Sequence, residues 1–212
     1  LLTQGYAVIG VARDFAKFPC NDPQFTARTI DLSDLDGLPA QLEHLLTAHP
    51  VIDGAICCAG RGRFGSLEEF SYAQIRDLLE LNLTSQVYLA RALLPAMKQR
   101  GAGDIIFIGS EAALSGGKRG AVYSAAKFGL RGLAQSLRQE CAASGVRVGI
   151  INPGMVNTGF FDELDFRPGD EADQHLVPDD VVEAVLLMLD ARQGAVIREI
   201  NLQPQKRVIR FD

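Results

Sequence analysis

The chain is poor in the patterns that would mark a metal, membrane or nucleic-acid protein. Its four cysteines, Cys20, Cys57, Cys58 and Cys141, follow no metal-ligand spacing. Buried free thiols in a reducing, cytoplasmic setting are the simplest account of them. No apolar run reaches the roughly 20 residues needed to cross a bilayer. The opening LLTQGYAV lacks the basic region and cleavage pattern of a signal peptide. The net charge is −5, with basic and acidic residues interspersed, which disfavours nucleic acid or an anionic membrane as a partner. There is no internal repeat, low-complexity tract or long linker.

What is present is alternation. With 212 residues, 47% of them hydrophobic, the chain can bury one sizeable core, and a single domain over 1–212 is expected. Leu1 to Gln4, closed by Gly5, reads as the last turn of a helix. Strand-like runs follow at 6–12, 26–30, 51–57, 105–108, 146–151 and 196–202. Helical periodicity covers 38–48, a long stretch from 71 to about 99, a segment holding Tyr123 and Lys127, and 179–189. Ser71 and Gln74 have the form of a capping box, and Gly101 stops the long helix. Residues 159–177 read as irregular. Strands alternating with helices predict a three-layer α/β fold, a doubly wound parallel sheet of Rossmann type. Such sheets bind ligands beyond the carboxyl ends of their strands. Asp31, the Ala59-Gly60 turn, Ser110 and Pro153-Gly154 all follow strands, so they should gather along that one edge.

The stretch from Asp104 to Gly132 carries the chemistry. Ser110 stands where the strand 105–108 should end, and Tyr123 and Lys127 are one helical turn apart on one face. A phenol with an ordinary pKa near 10 is a poor acid or base at neutral pH. Moving it about 3 pH units down takes roughly 4 kcal/mol, much of which a neighbouring cation can supply. The Ser110 hydroxyl could hold a carbonyl oxygen while Tyr123 protonates it. Without the serine, the pair would read as a half-buried tyrosine beside a solvated lysine. With it, the stretch closely resembles the short-chain dehydrogenase/reductase family, whose signature is a serine followed by Tyr-x-x-x-Lys.

That resemblance spans essentially the whole chain, and several shorter motifs agree with it. Asn82 in LLELNLTSQ matches the asparagine that completes the family's catalytic set, and its poor helical propensity fits a role for the side chain or a local helix distortion. Asp31 matches the residue that contacts adenine. Cys58-Ala59-Gly60 stands where the family usually has Asn-Ala-Gly, with a cysteine as the departure. Pro153-Gly154 and Thr158 resemble the segment that holds the nicotinamide carboxamide. Arg13, after the second family strand, suits a ribose 2′-phosphate, so NADP(H) is expected rather than NAD(H).

The resemblance implies hydride exchange between nicotinamide and a small carbonyl or alcohol substrate, with no metal. Tyr123 acts as acid or base, Ser110 binds the substrate oxygen, Lys127 lowers the Tyr123 pKa and binds ribose, and Asn82 supports a relay water. Two parts of the family pattern are missing, the first strand and the Gly-rich turn that seats a pyrophosphate. In the family's order that strand is central, so its two neighbours should be left with unpaired edges. A natural protein with about 20 to 30 further N-terminal residues is expected on that ground.

Segment 159–177 should cover the site and set specificity. Phe160, Phe161 and Phe166 would give it an apolar wall, Arg167 a cation for an acidic group, and His175 could face substrate. A loose likeness to family members that oxidise small 3-hydroxy acids suggests that substrate class. A homodimer or homotetramer is expected from the apolar faces of 83–94 and 128–137. The alternative is a non-catalytic dinucleotide-sensing regulator of the same fold, which would have no need of all four residues Asn82, Ser110, Tyr123 and Lys127.

Overall fold

The computed structural model describes residues 1–16 and 18–211. Its strands are β1 (Val8–Ala12), β2 (Phe25–Thr29), β3 (Gly54–Cys57), β4 (Gly103–Ile108), β5 (Val146–Pro153), β6 (Phe166–Pro168), β7 (Glu199–Leu202) and β8 (Ile209–Phe211). The main helices are α1 (Leu38–Ala48), α2 (Tyr72–Leu79), α3 (Ser85–Arg100), α4 (Ala121–Cys141) and α5 (Pro178–Leu189). A four-stranded parallel sheet runs β3-β4-β5-β7, and β1 pairs in parallel with β2 as a separate piece. Among the described residues β1 pairs only with β2, and β3 only with β4.

The central strands are apolar on both faces because each face is covered. Ile105 and Phe107 of β4, with Val148 and Ile150 of β5, pack against Leu93 and Met97 of α3 and Leu130, Ala134 and Leu137 of α4. One residue out of phase, Ile106 and Ile151 pack on the opposite face against Ala184, Val185 and Met188 of α5. That period of two gives the three layers. Arg147 of β5 donates to both carboxylate oxygens of Asp104, its register partner on β4, at 2.6 and 2.8 Å. It also donates to the carbonyls of Leu189 and Ala191, fastening the end of α5 to the sheet. A third core joins α1 (Leu38, Leu42, Leu45) to Ile9 and Val11 of β1 and to Tyr88, Leu89 and Ala92 of α3. Through it the β1-β2 piece is anchored to the rest.

The run 71–99 is continuous and contains a π turn, Glu80–Thr84, between α2 and α3, a distortion in keeping with the poor helical propensity of Asn82. Two expectations need correction. The stretch 159–177 is not wholly irregular, since β6 lies within it and pairs antiparallel with β8, a strand not anticipated. The thiols are not all buried: Cys57 and Cys141 are, Cys20 is half-buried, and Cys58 is exposed. Cys57 and Cys58 are adjacent at the end of a strand, so their side chains diverge and only one can enter the core. Among the described residues no helix is long and apolar enough to cross a membrane, and no group of three or more acidic, cysteine or histidine side chains could hold a metal ion.

Candidate active site

Three elements bring the candidate residues together. β4 ends at Ile108, and the chain turns at Gly109-Ser110 into a short 3-10 turn whose second amide, Ala112 N–H, donates to the Ser110 hydroxyl at 3.1 Å. α4 starts at Ala121 and presents Tyr123, Ala126, Lys127 and Leu130 to the interior, the spacing of one helical stripe. Tyr123 is 6% exposed and Lys127 4%. The third element is the π turn. Asn82 within it is fully buried, and its amide donates to the carbonyls of Leu78 and Arg61 at 2.9 and 3.1 Å. Its oxygen accepts from the Arg61 N–H at 3.3 Å. An asparagine competing for a helix carbonyl favours such a local widening, and here the widened turn pins the loop after β3.

The electrostatics differ from expectation at the phenol. Burial pushes the Tyr123 pKa up to about 12; a hydrogen bond from Ser110 works against that rise, and Glu111 adds to it. Lys127 does not overcome the burial. Its ammonium lies 5.7 Å from the phenol ring centroid and donates to the Ile108 carbonyl at 3.0 Å. Burial also pulls Lys127 down to about 8, with nearby Cys58 opposing the fall. Two groups that would be fully protonated at neutral pH in water are thus moved in opposite directions by one low-dielectric pocket.

Ser110, Tyr123, Lys127 and Asn82 line one cavity of about 620 Å³, within the size range of ligand pockets. Gly60, Pro153, Gly154 and Thr158 line it too. Gly60 has a reason to be glycine: a Cβ there would stand 2.6 Å from Asn82 Oδ1 and 3.6 Å from Lys127 Nζ. Gly154 closes onto β7, its N–H donating to the Leu202 carbonyl at 2.8 Å. The Thr158 hydroxyl accepts from the Phe160 N–H and so caps the next 3-10 turn. This open, glycine-edged floor beside a buried ammonium fits a nicotinamide ribose.

Five candidates lie outside the cavity lining. Ala59 uses its carbonyl to accept from Gln86. Arg13 is exposed after β1. Asp31 follows β2, and its carboxyl is held below the ordinary range by the Ser33 hydroxyl and amide, at 2.6 and 2.9 Å, and by Arg13. Arg167 pairs with Asp170 and is not a lining residue. His175 meets the Gly169 carbonyl at 2.9 Å and also stays out of the lining. Phe160, Phe161 and Phe166 do form a wall. Two further rings, Phe64 and Phe211, escaped the sequence reading. Neither carried a readable signal: Phe211 sits on a three-residue strand and Phe64 in an irregular loop.

A sequence model of the short chain dehydrogenase family matches residues 1–167. The chain belongs to that family. It is 29% identical over 185 residues to sepiapterin reductase from Chlorobaculum tepidum, a match covering 87% of this chain and 74% of the relative. Among solved structures it resembles serine dehydrogenase from Escherichia coli, at 26% identity and a TM-score of 0.80, covering 95% of this chain and 88% of that one. A metagenomic short-chain oxidoreductase solved in complex with NADP aligns at 28% identity and a TM-score of 0.78, over 94% of this chain and 86% of its own. As a short-chain dehydrogenase the chain is an oxidoreductase, with the doubly wound α/β architecture of its relatives.

Proposed function

We propose that the protein exchanges a hydride between NADP(H) and a small ketone or secondary alcohol. The observation that carries this reading is the meeting of Ser110, Tyr123 and Lys127, two of them almost fully buried, on the wall of a single open cavity. Bound NADP(H) would supply or take up the hydride. The Ser110 hydroxyl, at the rim of the sheet, holds the substrate oxygen beside the phenol. Tyr123 gives that oxygen its proton in reduction and removes it in oxidation. Lys127 binds ribose hydroxyls and, once protonated, favours the phenolate. Asn82 holds the loop carrying Gly60 and supports a water on the way to Lys127.

The preference for NADP(H) over NAD(H) rests on Arg13, whose guanidinium is exposed near Asp31, and on the relative solved with NADP. A small 3-hydroxy acid is the narrower candidate that comes with the likeness to serine dehydrogenase. Its carboxylate would have to meet Lys118 at the rim, since Arg119 is engaged by Asp165 and Arg167 by Asp170. Residues 1–212 work as one catalytic unit, with 159–177 as its cover. Phe128, 44% exposed on α4, suits burial in a homodimer or homotetramer. The free thiols, Cys58 among them exposed, suit a reducing cytoplasm.

The test is NADPH oxidation, followed by absorbance, across a panel of ketones and 3-oxo acids. Turnover that disappears in Tyr123→Phe supports the reading. Tight NADPH binding with no turnover on any substrate would sink it and favour a non-catalytic sensor.

A further inference from the structure

The rings around Tyr123 form a closed circuit. Tyr123 meets Phe64 at 5.2 Å between centroids, Phe64 meets Phe166 at 5.0 Å, Phe166 meets Phe161 at 5.9 Å, Phe161 meets Phe160 at 5.2 Å, and Phe160 returns to Tyr123 at 6.2 Å. Phe211 adds a sixth ring, 6.3 Å from Phe166 and directly opposite it in the β6-β8 register. All six line the cavity, yet Phe211 is 71% exposed. That ring is held in place by the β6-β8 pairing and is open to whatever enters the cavity.

The strand that carries it, and the segment leading into it, are tied down by ion pairs. Arg210 pairs with Asp170 at 2.5 Å, Lys206 with Asp173 at 2.6 Å, and Arg207 with Glu111 at 3.5 Å. Those same pairs consume the charge that an acidic substrate would seek. Arg207 faces Glu111, and Arg119 faces Asp165 at 3.0 Å. Lys118, exposed at the rim, has no such partner among the described residues. The space beside the phenol is therefore aromatic on several sides, and two of its nearby cations are already neutralised.

Building on the oxidoreductase reading, we infer that the preferred substrate is a neutral ketone bearing a flat apolar ring, an aryl or fused-ring ketone, and that Phe211 is a specificity-determining residue whose ring closes over that group. In the reaction the carbonyl carbon gains a hydride and its oxygen gains the Tyr123 proton, so the ketone becomes a secondary alcohol as NADPH becomes NADP+. Aromatic faces and edges reward a planar substituent in a way that a carboxylate on a three-carbon chain cannot use.

The experiment compares kcat/KM of the natural full-length protein for acetophenone and α-tetralone with that for acetoacetate and, in the oxidative direction, L-serine and 3-hydroxybutyrate. The inference expects the aryl ketones to be favoured at least tenfold. Phe211→Ala should raise KM for the aryl ketones about tenfold with their kcat within twofold, several times more than it raises KM for acetone. Phe211→Leu should recover part of the loss. A preference for the acids, or an equal effect of Phe211→Ala on acetone and on the aryl ketones, overturns the inference while Tyr123-dependent turnover keeps the oxidoreductase reading standing. Turnover of nothing in either set, with NADPH bound, overturns both.

Discussion

Lys127 should be a stability cost that the protein carries for the sake of its site. Burial pulls its pKa from the ordinary 10.5 to about 8. At 1.36 kcal/mol per pH unit, that displacement corresponds to roughly 3 kcal/mol. The unfolded chain keeps the proton up to 10.5 and the folded chain only up to about 8, so between those values the unfolded state binds more protons. Stability therefore rises with pH across that window, and the full cost is felt below pH 8. Lys127→Met keeps the apolar stem and removes the charge, at the loss of one hydrogen bond to the Ile108 carbonyl worth about 1 kcal/mol. The variant should be more stable than the parent by about 2 kcal/mol at pH 7, a rise in Tm of roughly 4–8 °C for a chain of this size. By pH 9.5 most of that advantage should be gone. Urea denaturation of both proteins at the two pH values measures it, and comparing them removes the contributions of the other titrating groups. A variant less stable than the parent at pH 7, or an advantage that does not shrink with pH, would refute the reasoning.

Other substitutions separate chemistry from folding. Tyr123→Phe should lower kcat by about a thousandfold, the scale of a lost general acid, while a thermal melt shifts little because the ring packing survives. Ketone reduction should fall as pH rises through about 8, where Lys127 loses its charge; a rate level to pH 10 would count against that role. Asn82→Ala removes three hydrogen bonds from a fully buried position and strands the amide and carbonyl of Arg61, so denaturation should show a loss of about 3 kcal/mol.

The legible parts of this molecule were those with local causes. The apolar run of β4 reads as a buried strand because both its faces are covered, and α1 falls on the residues its periodicity marks, 38–48. The Asn82 distortion was readable because a short amide side chain inside a helix competes for backbone carbonyls. β6 and β8 were not, since each is three residues long and their pairing joins segments about 40 residues apart, with no turn between them to announce a hairpin. The electrostatic error at Tyr123 has a similar origin. Spacing tells that Lys127 lies one turn away, but not that both groups are sunk so deep that desolvation outweighs their proximity. The exposure of Cys58 is not legible in the sequence because period-two alternation says which side a residue faces, not whether that side is covered.

Several costs meet at one place in this structure. A buried ammonium, a phenol driven away from ionisation, a π turn and an asparagine spent on loop backbone all border the same cavity. Elsewhere the chain follows ordinary rules: apolar strands between apolar helix faces, a capping box at Ser71 and Gln74, and left-handed glycines closing helices at Gly101 and Gly145. A fold that needed only to stand would do better with Met at 127 and Phe at 123, since both would pack with less desolvation. Locally unfavourable choices gathered around one pocket are the physical mark of a site at work, because there something outside the fold compensates for them. The gain in stability of Lys127→Met measures directly what the fold gives up at this pocket.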